Sequence, residues 1–316
     1  MDDAAPFAPR AKFDDPDFAA DGQRRAEVAL ARPETLWFNT GTLCNIACAR
    51  CYIESSPRND RLAYLTLAEV EDYLDQLEAR RWGVREIGFT GGEPFLNPEM
   101  AAMAEAALGR GYEALILTNA MRPMTRPRPL AALARLVAAH GSRLTLRVSL
   151  DHHDAGRHDA ERGAGAFAET LEGMRLLREM GARLAVAART LWNEPEAEAR
   201  AGFAALFARE GFVIDADSPS ELTLFPEMEA ETDPPEITEA CWGALGKRPQ
   251  EVMCASSRMV VKRRGAPRPG VVACTLLPYD PRFELGSTLA EAERPVKLNH
   301  PWCASFCVLG GGRCSR

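Results

Sequence analysis

The sequence predicts an α/β fold, a partial (β/α)6 TIM-like barrel joined to a small C-terminal cysteine-rich domain. Between residues 33 and 226, short apolar β-prone runs alternate six times with longer segments of helical period. Such alternation implies a parallel sheet, because parallel strands need crossover connections. The nine cysteines form two groups, three between positions 44 and 51 and six from Cys241 onward. That split suggests two separate metal sites. After Pro226 the strand–helix rhythm gives way to prolines and acidic residues. The expected organisation is a lead-in over 1–32, the barrel over 33–226 and a second unit over 227–316.

The elements follow in order. Residues 1–32 show no firm periodicity and are expected to form a lead-in or a short helix. Leu36–Asn39 reads as a first strand that runs into the cysteine loop. Thr66-Leu67-Ala68-Glu69 is a capping box, and Leu67, Val70, Leu74 and Leu77 then recur at helical spacing. Glu86–Thr90 is a second strand, followed by a helix through Met100 and Leu108. Ala114–Thr118, Leu144–Leu150, Arg183–Arg189 and Leu222–Phe225 complete the six strands. Helices are expected from about Leu130 to His140, Phe167 to Met180 and Glu196 to Arg209. In the second unit, residues 227–253 read as a linker, and 259–261 with 271–273 as a hairpin around a Gly/Pro/Arg turn. Right-handed crossovers would curl the sheet into part of a barrel, with its chemistry at the carboxyl ends of the strands.

Composition narrows the classes. The net charge of −7 argues against nucleic acid, and the densest basic run, Lys262-Arg263-Arg264, sits in a turn and reads as solvated. The N-terminus lacks the pattern of a signal peptide and no apolar run is long enough to span a membrane. A cytoplasmic protein is expected, with no membrane or nucleic-acid partner. Disulfides are then an unsuitable explanation for nine cysteines.

Cys44-Asn45-Ile46-Ala47-Cys48-Ala49-Arg50-Cys51 offers three thiols and no histidine. Structural zinc normally takes four protein ligands, whereas three thiolates suit a [4Fe–4S] cluster that keeps one iron open. A second segment, Gly91-Gly92-Glu93-Pro94, follows the second strand. Glycines permit close backbone approach, and Glu93 offers an acceptor for a cation. Together the C-x3-C-x2-C loop and this segment, in that order, resemble the radical S-adenosylmethionine (SAM) superfamily over roughly residues 33–226. The resemblance implies that Cys44, Cys48 and Cys51 carry the catalytic cluster and that SAM chelates its open iron. It implies that Gly91, Gly92, Glu93 and Pro94 contact the methionine ammonium. It also implies reductive cleavage of SAM to a 5′-deoxyadenosyl radical that takes hydrogen from a substrate. Arg50 departs from the aromatic or aliphatic residue common before the third cysteine, which moves the expected adenine contact to Tyr52 or to the main chain.

Polar residues at the ends of later strands are weaker candidates. By the same resemblance Asn119, Ser149 and Arg189 would hold the ribose or carboxylate of SAM, against plainer roles in turn capping and surface pairing. Asp151-His152-His153-Asp154 with His158 and Asp159 collects titratable groups after the fourth strand. A solvated loop is the favoured reading there, ahead of proton transfer or a divalent metal.

The second cysteine group resembles a shortened SPASM, or twitch, domain with an auxiliary [4Fe–4S] cluster. By that pattern its ligands are Cys254, Cys274, Cys303 and Cys307. Cys314 is a possible replacement because Cys303-x3-Cys307 is wider than the usual spacing. Structural zinc, with His300 nearby, is the competing reading. An auxiliary cluster favours an oxidising or bond-forming reaction, so an oxidoreductase is expected. The substrate is a small molecule or a peptide, with a small molecule preferred because a 32-residue lead-in is too short for a peptide-recognition module. The reaction would also need a one-electron donor such as flavodoxin or ferredoxin. The alternatives are a peptide maturase that forms crosslinks and a non-enzymatic iron–sulfur or zinc scaffold, with tRNA modification disfavoured by charge.

Overall fold

A nine-stranded sheet organises the computed structural model, which describes residues 11–227 and 233–312. In chain order the strands are β1 (Glu27–Val28), β2 (Thr35–Asn39), β3 (Glu86–Thr90), β4 (Glu113–Thr118), β5 (Leu144–Ser149), β6 (Arg183–Arg189), β7 (Leu222–Phe225), β8 (Ser257–Val261), β9 (Gly270–Val272), β10 (Glu284–Gly286) and β11 (Val296–Lys297). The helices are α1 (Leu67–Arg80), α2 (Met100–Gly109), α3 (Arg122–Thr125), α4 (Pro127–His140), α5 (Ala155–Arg162), α6 (Ala166–Glu179), α7 (Glu196–Glu210) and α8 (Cys241–Leu245). The sheet order is β10-β9-β8-β2-β3-β4-β5-β6-β7, and β2 to β7 pair in parallel. These six are the strands that the alternation predicts, three with the same boundaries and three shifted by one residue at one end.

Local chemistry explains the repeats. Thr66 Oγ1 accepts from the Glu69 N–H while the Glu69 carboxylate accepts from the Thr66 N–H, so α1 begins on a capping box. Val70, Tyr73, Leu74 and Leu77 lie on its buried face. In β3, Gly88 leaves space for the Trp37 ring of β2, since a Cβ there would lie 2.4 Å from the indole. In α6, Gly173 does the same for a turn, since its Cβ would fall 1.8 Å from the Ala120 carbonyl oxygen. Helix α6 therefore seats directly on the turn after β4, where Thr170 Oγ1 also donates to Asn119 O at 3.1 Å.

Two regions differ from expectation. The hairpin β8–β9 continues the barrel sheet, because β8 pairs in parallel with β2 from Thr35–Ser257 to Phe38–Val260. Which strand it joins is a long-range choice that local patterning does not carry. The segment after β5 is no solvated loop. Asp154 caps α5 by accepting from the Arg157 N–H at 2.9 Å, and Asp151, His152 and His158 are buried. Its mix of charged residues masks a helix that buries His158 and Glu161.

The lead-in is tied to the body through β1 and β11 and through Arg25, which pairs with Glu236 at 2.6 Å. Lys262, Arg263 and Arg264 pair with Glu69, Glu284 and Asp60, so this basic run is neutralised within the fold. Among the described residues no helix is long and apolar enough to cross a membrane.

Candidate active site

The cysteine loop is held on both sides by backbone contacts. Asn39, fully buried at the end of β2, accepts from the Gly41 N–H at 3.0 Å. Thr40 N donates to Thr90 O at 2.8 Å and Cys44 N to Ser56 O at 3.1 Å. The turn after β3 then docks on the loop, with Gly92 N donating to Gly41 O (2.8 Å) and Glu93 N to Leu43 O (3.0 Å). A Cβ on Gly91, whose φ is +149°, would lie 2.5 Å from Gly41 O; one on Gly92 would lie 2.2 Å from Leu43 O. The glycines are thus required by the cysteine loop's own backbone.

Glu93 points into protein. Its carboxylate accepts from Thr118 Oγ1 (2.9 Å), Asn119 N (2.9 Å) and Phe95 N (3.1 Å), which locks the turn to the end of β4. Burial raises its pKa from 4.5 to about 7 against the pull of these hydrogen bonds. Glu93 and Pro94 do not line the cavity beside them, whereas Gly91 and Gly92 do.

That cavity, about 190 Å³, opens at the carboxyl ends of the strands and brings together Cys44, Cys48, Cys51, Asn119, Ser149 and Arg189. Asn119 Nδ2 donates to Asn45 Oδ1 at 2.8 Å and lies 3.9 Å from Cys44 Sγ. Arg189 Nη1 donates to Arg50 O at 2.6 Å, and its guanidinium stacks 4.5 Å above the Tyr52 ring. Arg189 is therefore a buried wall residue and not a surface ion pair. Arg50 also lines the cavity and pairs with Glu161 and Glu227. Lining residues that sequence reading missed include Arg162, which holds Asp151 by two hydrogen bonds of 2.7 and 2.9 Å. Burial opposes the charge on Asp151, but Arg162 outweighs it and keeps the pKa low. No sequence signal foretold Arg162, because it depends on α5.

Several observations fit a cluster and a polar ligand here. Burial pushes the Cys44 thiol up to about 12, with the charges of Glu93, Cys48 and Cys51 adding to it, and burial also raises Cys48. Thiols crowded in this way become thiolates when a metal supplies positive charge. Trp37 Nε1, Ser55 Oγ and Arg189 Nε, all on lining residues, are buried without hydrogen-bond partners. Ser55 N already donates to Cys51 Sγ at 3.3 Å.

A second, smaller cavity is lined by Cys254, Cys274, Cys303 and Cys307. Cys303 and Cys307 lie on a π-helical segment, Cys303–Leu309, whose winding puts positions four apart near one face. This accounts for the wide spacing. Burial, and then the charges of Cys254 and Cys274, raise Cys303 well above 9. His300 is absent from this lining, and Cys314 lies outside the described residues. Thr275 and Leu276 line both cavities.

Among the described residues, His152, His153 and Glu194 are the only trio of metal-ligand atoms within 4.8 Å of one another. Arg157 Nη1 already sits 2.9 Å from His152 Nε2 and 3.4 Å from Glu194 Oε1, so a cation fills that position. Among the described residues no three cysteine sulfurs gather so closely.

Residues 38–191 match the family model of the radical SAM superfamily, so the chain contains a radical SAM domain. The antilisterial bacteriocin subtilosin biosynthesis protein AlbA of Bacillus subtilis is 30% identical over 145 residues, covering 46% of this chain and 30% of AlbA. The mycofactocin maturase MftC of Mycolicibacterium smegmatis is 29% identical over 191 residues, 60% of this chain and 45% of that protein. The chain thus spans less than half the length of these curated relatives. SuiB of Streptococcus suis bound to S-adenosylmethionine superposes with a TM-score of 0.57 at 13% identity, covering 81% of this chain and 63% of SuiB. Native anSMEcpe with bound AdoMet gives 0.57 at 15% identity, covering 82% and 80%. These likenesses establish the shared fold.

Two outcomes follow from the docked turn. Gly92→Ala is expected to cost about 1–3 kcal/mol through the clash with Leu43 and to lower iron per chain after reconstitution; full loading would show that the loop can yield. Glu93 keeps its proton to about pH 7 in the folded chain, against 4.5 unfolded. The folded state therefore binds more protons between these values, and stability falls as pH rises through that window, by an amount on the order of 3 kcal/mol. Glu93→Gln removes the titration. In denaturant melts its stability relative to the native chain should rise from pH 4.5 to 7, and a constant difference would contradict the buried acid.

Proposed function

We propose that this protein is a radical SAM enzyme that cleaves S-adenosylmethionine reductively and oxidises or joins bonds in a peptide or small-molecule substrate. The observation that carries the reading is the convergence of Cys44, Cys48 and Cys51 with Gly91, Gly92, Asn119, Ser149 and Arg189 on one cavity. In this reading the three loop cysteines hold a [4Fe–4S] cluster, and Cys254, Cys274, Cys303 and Cys307 hold an auxiliary one. When bound, the first cluster supplies the electron that splits SAM into methionine and a 5′-deoxyadenosyl radical, and the auxiliary cluster supplies an electron acceptor near the substrate.

The chain's own residues orient the reactants. Gly91 and Gly92 bring main chain to the cavity wall beside the loop cysteines, and Arg189 with Tyr52 presents a flat cationic and aromatic surface. Asp151 and Arg162 neutralise one another at the same wall. Phe225, Phe306, Ile53 and Leu276 exclude water, which protects a reactive radical from quenching. The names of AlbA and MftC, a bacteriocin biosynthesis protein and a maturase, weigh toward a peptide substrate. A flavodoxin or ferredoxin is the proposed electron donor.

Anaerobic reconstitution tests both sites. The native chain is expected to bind about eight irons and, with dithionite, to release 5′-deoxyadenosine from SAM. Cys48→Ala should release none, and normal release would remove the loop cysteines from the reaction. Cys274→Ala should fall to about four irons while still cleaving SAM; unchanged iron would take Cys274 out of the second site.

A further inference from the structure

Arg258 lies on β8, the strand that joins the second cysteine group to the barrel sheet, and is 1% exposed. Its Nε donates to Ala292 O at 2.9 Å, Nη1 to the carbonyls of Cys254 (2.6 Å) and Ser257 (2.8 Å), and Nη2 to Arg294 O at 3.3 Å. Four of the five N–H groups of a guanidinium are thereby satisfied, and every acceptor is a neutral carbonyl. Two other guanidiniums inside the fold meet acids, Arg25 pairing with Glu236 at 2.6 Å and Arg162 with Asp151 at 2.7 Å, whereas Arg189 donates to the Arg50 carbonyl. Among the described residues Arg258 has no ion-pair partner.

A buried charge without a counter-charge is costly, and folds rarely keep one unless something of opposite sign comes to it. The Nη1 of Arg258 is held on the Cys254 carbonyl at 2.6 Å. Cys254 is one of the four cysteines around the second cavity. A cluster held by four thiolates carries net negative charge, because the thiolates outweigh the positive core, and reduction makes it more negative. A fixed guanidinium in a low-dielectric interior favours the reduced form.

We infer that Arg258 is the built-in counter-ion of an anionic auxiliary cluster on Cys254, Cys274, Cys303 and Cys307, and that it raises that cluster's reduction potential. The inference rests on reading the second cysteine group as an iron–sulfur site. The bond from Nη1 to the Cys254 carbonyl fixes the charge at a ligand's own backbone. Arg258 acts by its field and by positioning that ligand, without contact to substrate.

The test uses the full chain, reconstituted anaerobically, with Arg258→Met removing the charge and Arg258→Lys keeping it. Iron per chain and redox titration followed by electron paramagnetic resonance report the two clusters separately. In Arg258→Met the equilibrium constant for reducing the auxiliary cluster should fall at least tenfold, a drop of about 59 mV, while the SAM-site cluster keeps its potential. Arg258→Lys should stay near the native potential. Loss of the second cluster from the Met variant but not the Lys variant would support the inference equally. Met and Lys variants that behave alike, whether both native-like or both depleted, would overturn it, since a purely structural role does not distinguish them by charge. A native chain with only about four irons would overturn the auxiliary-site reading, and the counter-ion with it.

Discussion

The site depends on one backbone-to-backbone contact, the docking of the Gly91-Gly92 turn on residues 41–43. Two hydrogen bonds join the segments, and neither glycine has room for a side chain. Glu93 extends the contact by fastening the turn to Thr118 and Asn119 at the end of β4. Three consecutive strands thus converge on one loop, and the loop's cysteines inherit their spacing from the sheet. This places structural demands on the very residues that also face the cavity. A substitution at Gly92 would disturb the cysteine loop before any ligand entered.

Charge placement follows the same logic of local satisfaction. Asp151 and Arg162 neutralise one another at the cavity wall, and Glu194 gathers His152, His153 and Arg157 beside it. Each of these groups has an opposite sign at hand. Glu93 is different, because its hydrogen-bond donors are neutral and burial outweighs both them and the charge of Arg162, so its pKa rises. Arg258 is the mirror case on the other side of the sheet, a cation ringed by carbonyls. Unbalanced buried charges of this kind mark places where the fold alone does not complete the electrostatics.

Most of the barrel was legible because each strand and helix announces itself locally. Leu144–Ser149 alternates apolar and polar residues at the strand period, and the Thr66 capping box marks the start of α1 within a few residues. The three loop cysteines and the glycine turn were legible for the same reason. The rest needed long-range information. That β8 would pair with β2 is decided by which edge is open, and nothing in Ser-Arg-Met-Val-Val states it. Arg162 reaches the cavity only because Asp154 starts a helix in a segment whose charge suggested solvent. The role of Glu93 was also read too simply, since its chemistry suggested a ligand contact while its position makes it a brace.

The pairing of β8 with β2 has a mechanical consequence for the two cysteine groups. Cys44 follows β2, Cys254 precedes β8, and these strands are neighbours in one sheet. The groups are therefore coupled by a hydrogen-bonded ladder, which is far stiffer than a tether between separate domains. The wall between the cavities is made of Thr275 and Leu276, next in sequence to Cys274, with Phe306 next to Cys307 facing the first cavity. Electron exchange between two redox groups is steeply sensitive to their separation, so a shared sheet and a wall of a few side chains would hold that separation constant as substrates come and go. The strand read from sequence as one arm of a hairpin is also the element that ties the second site to the first.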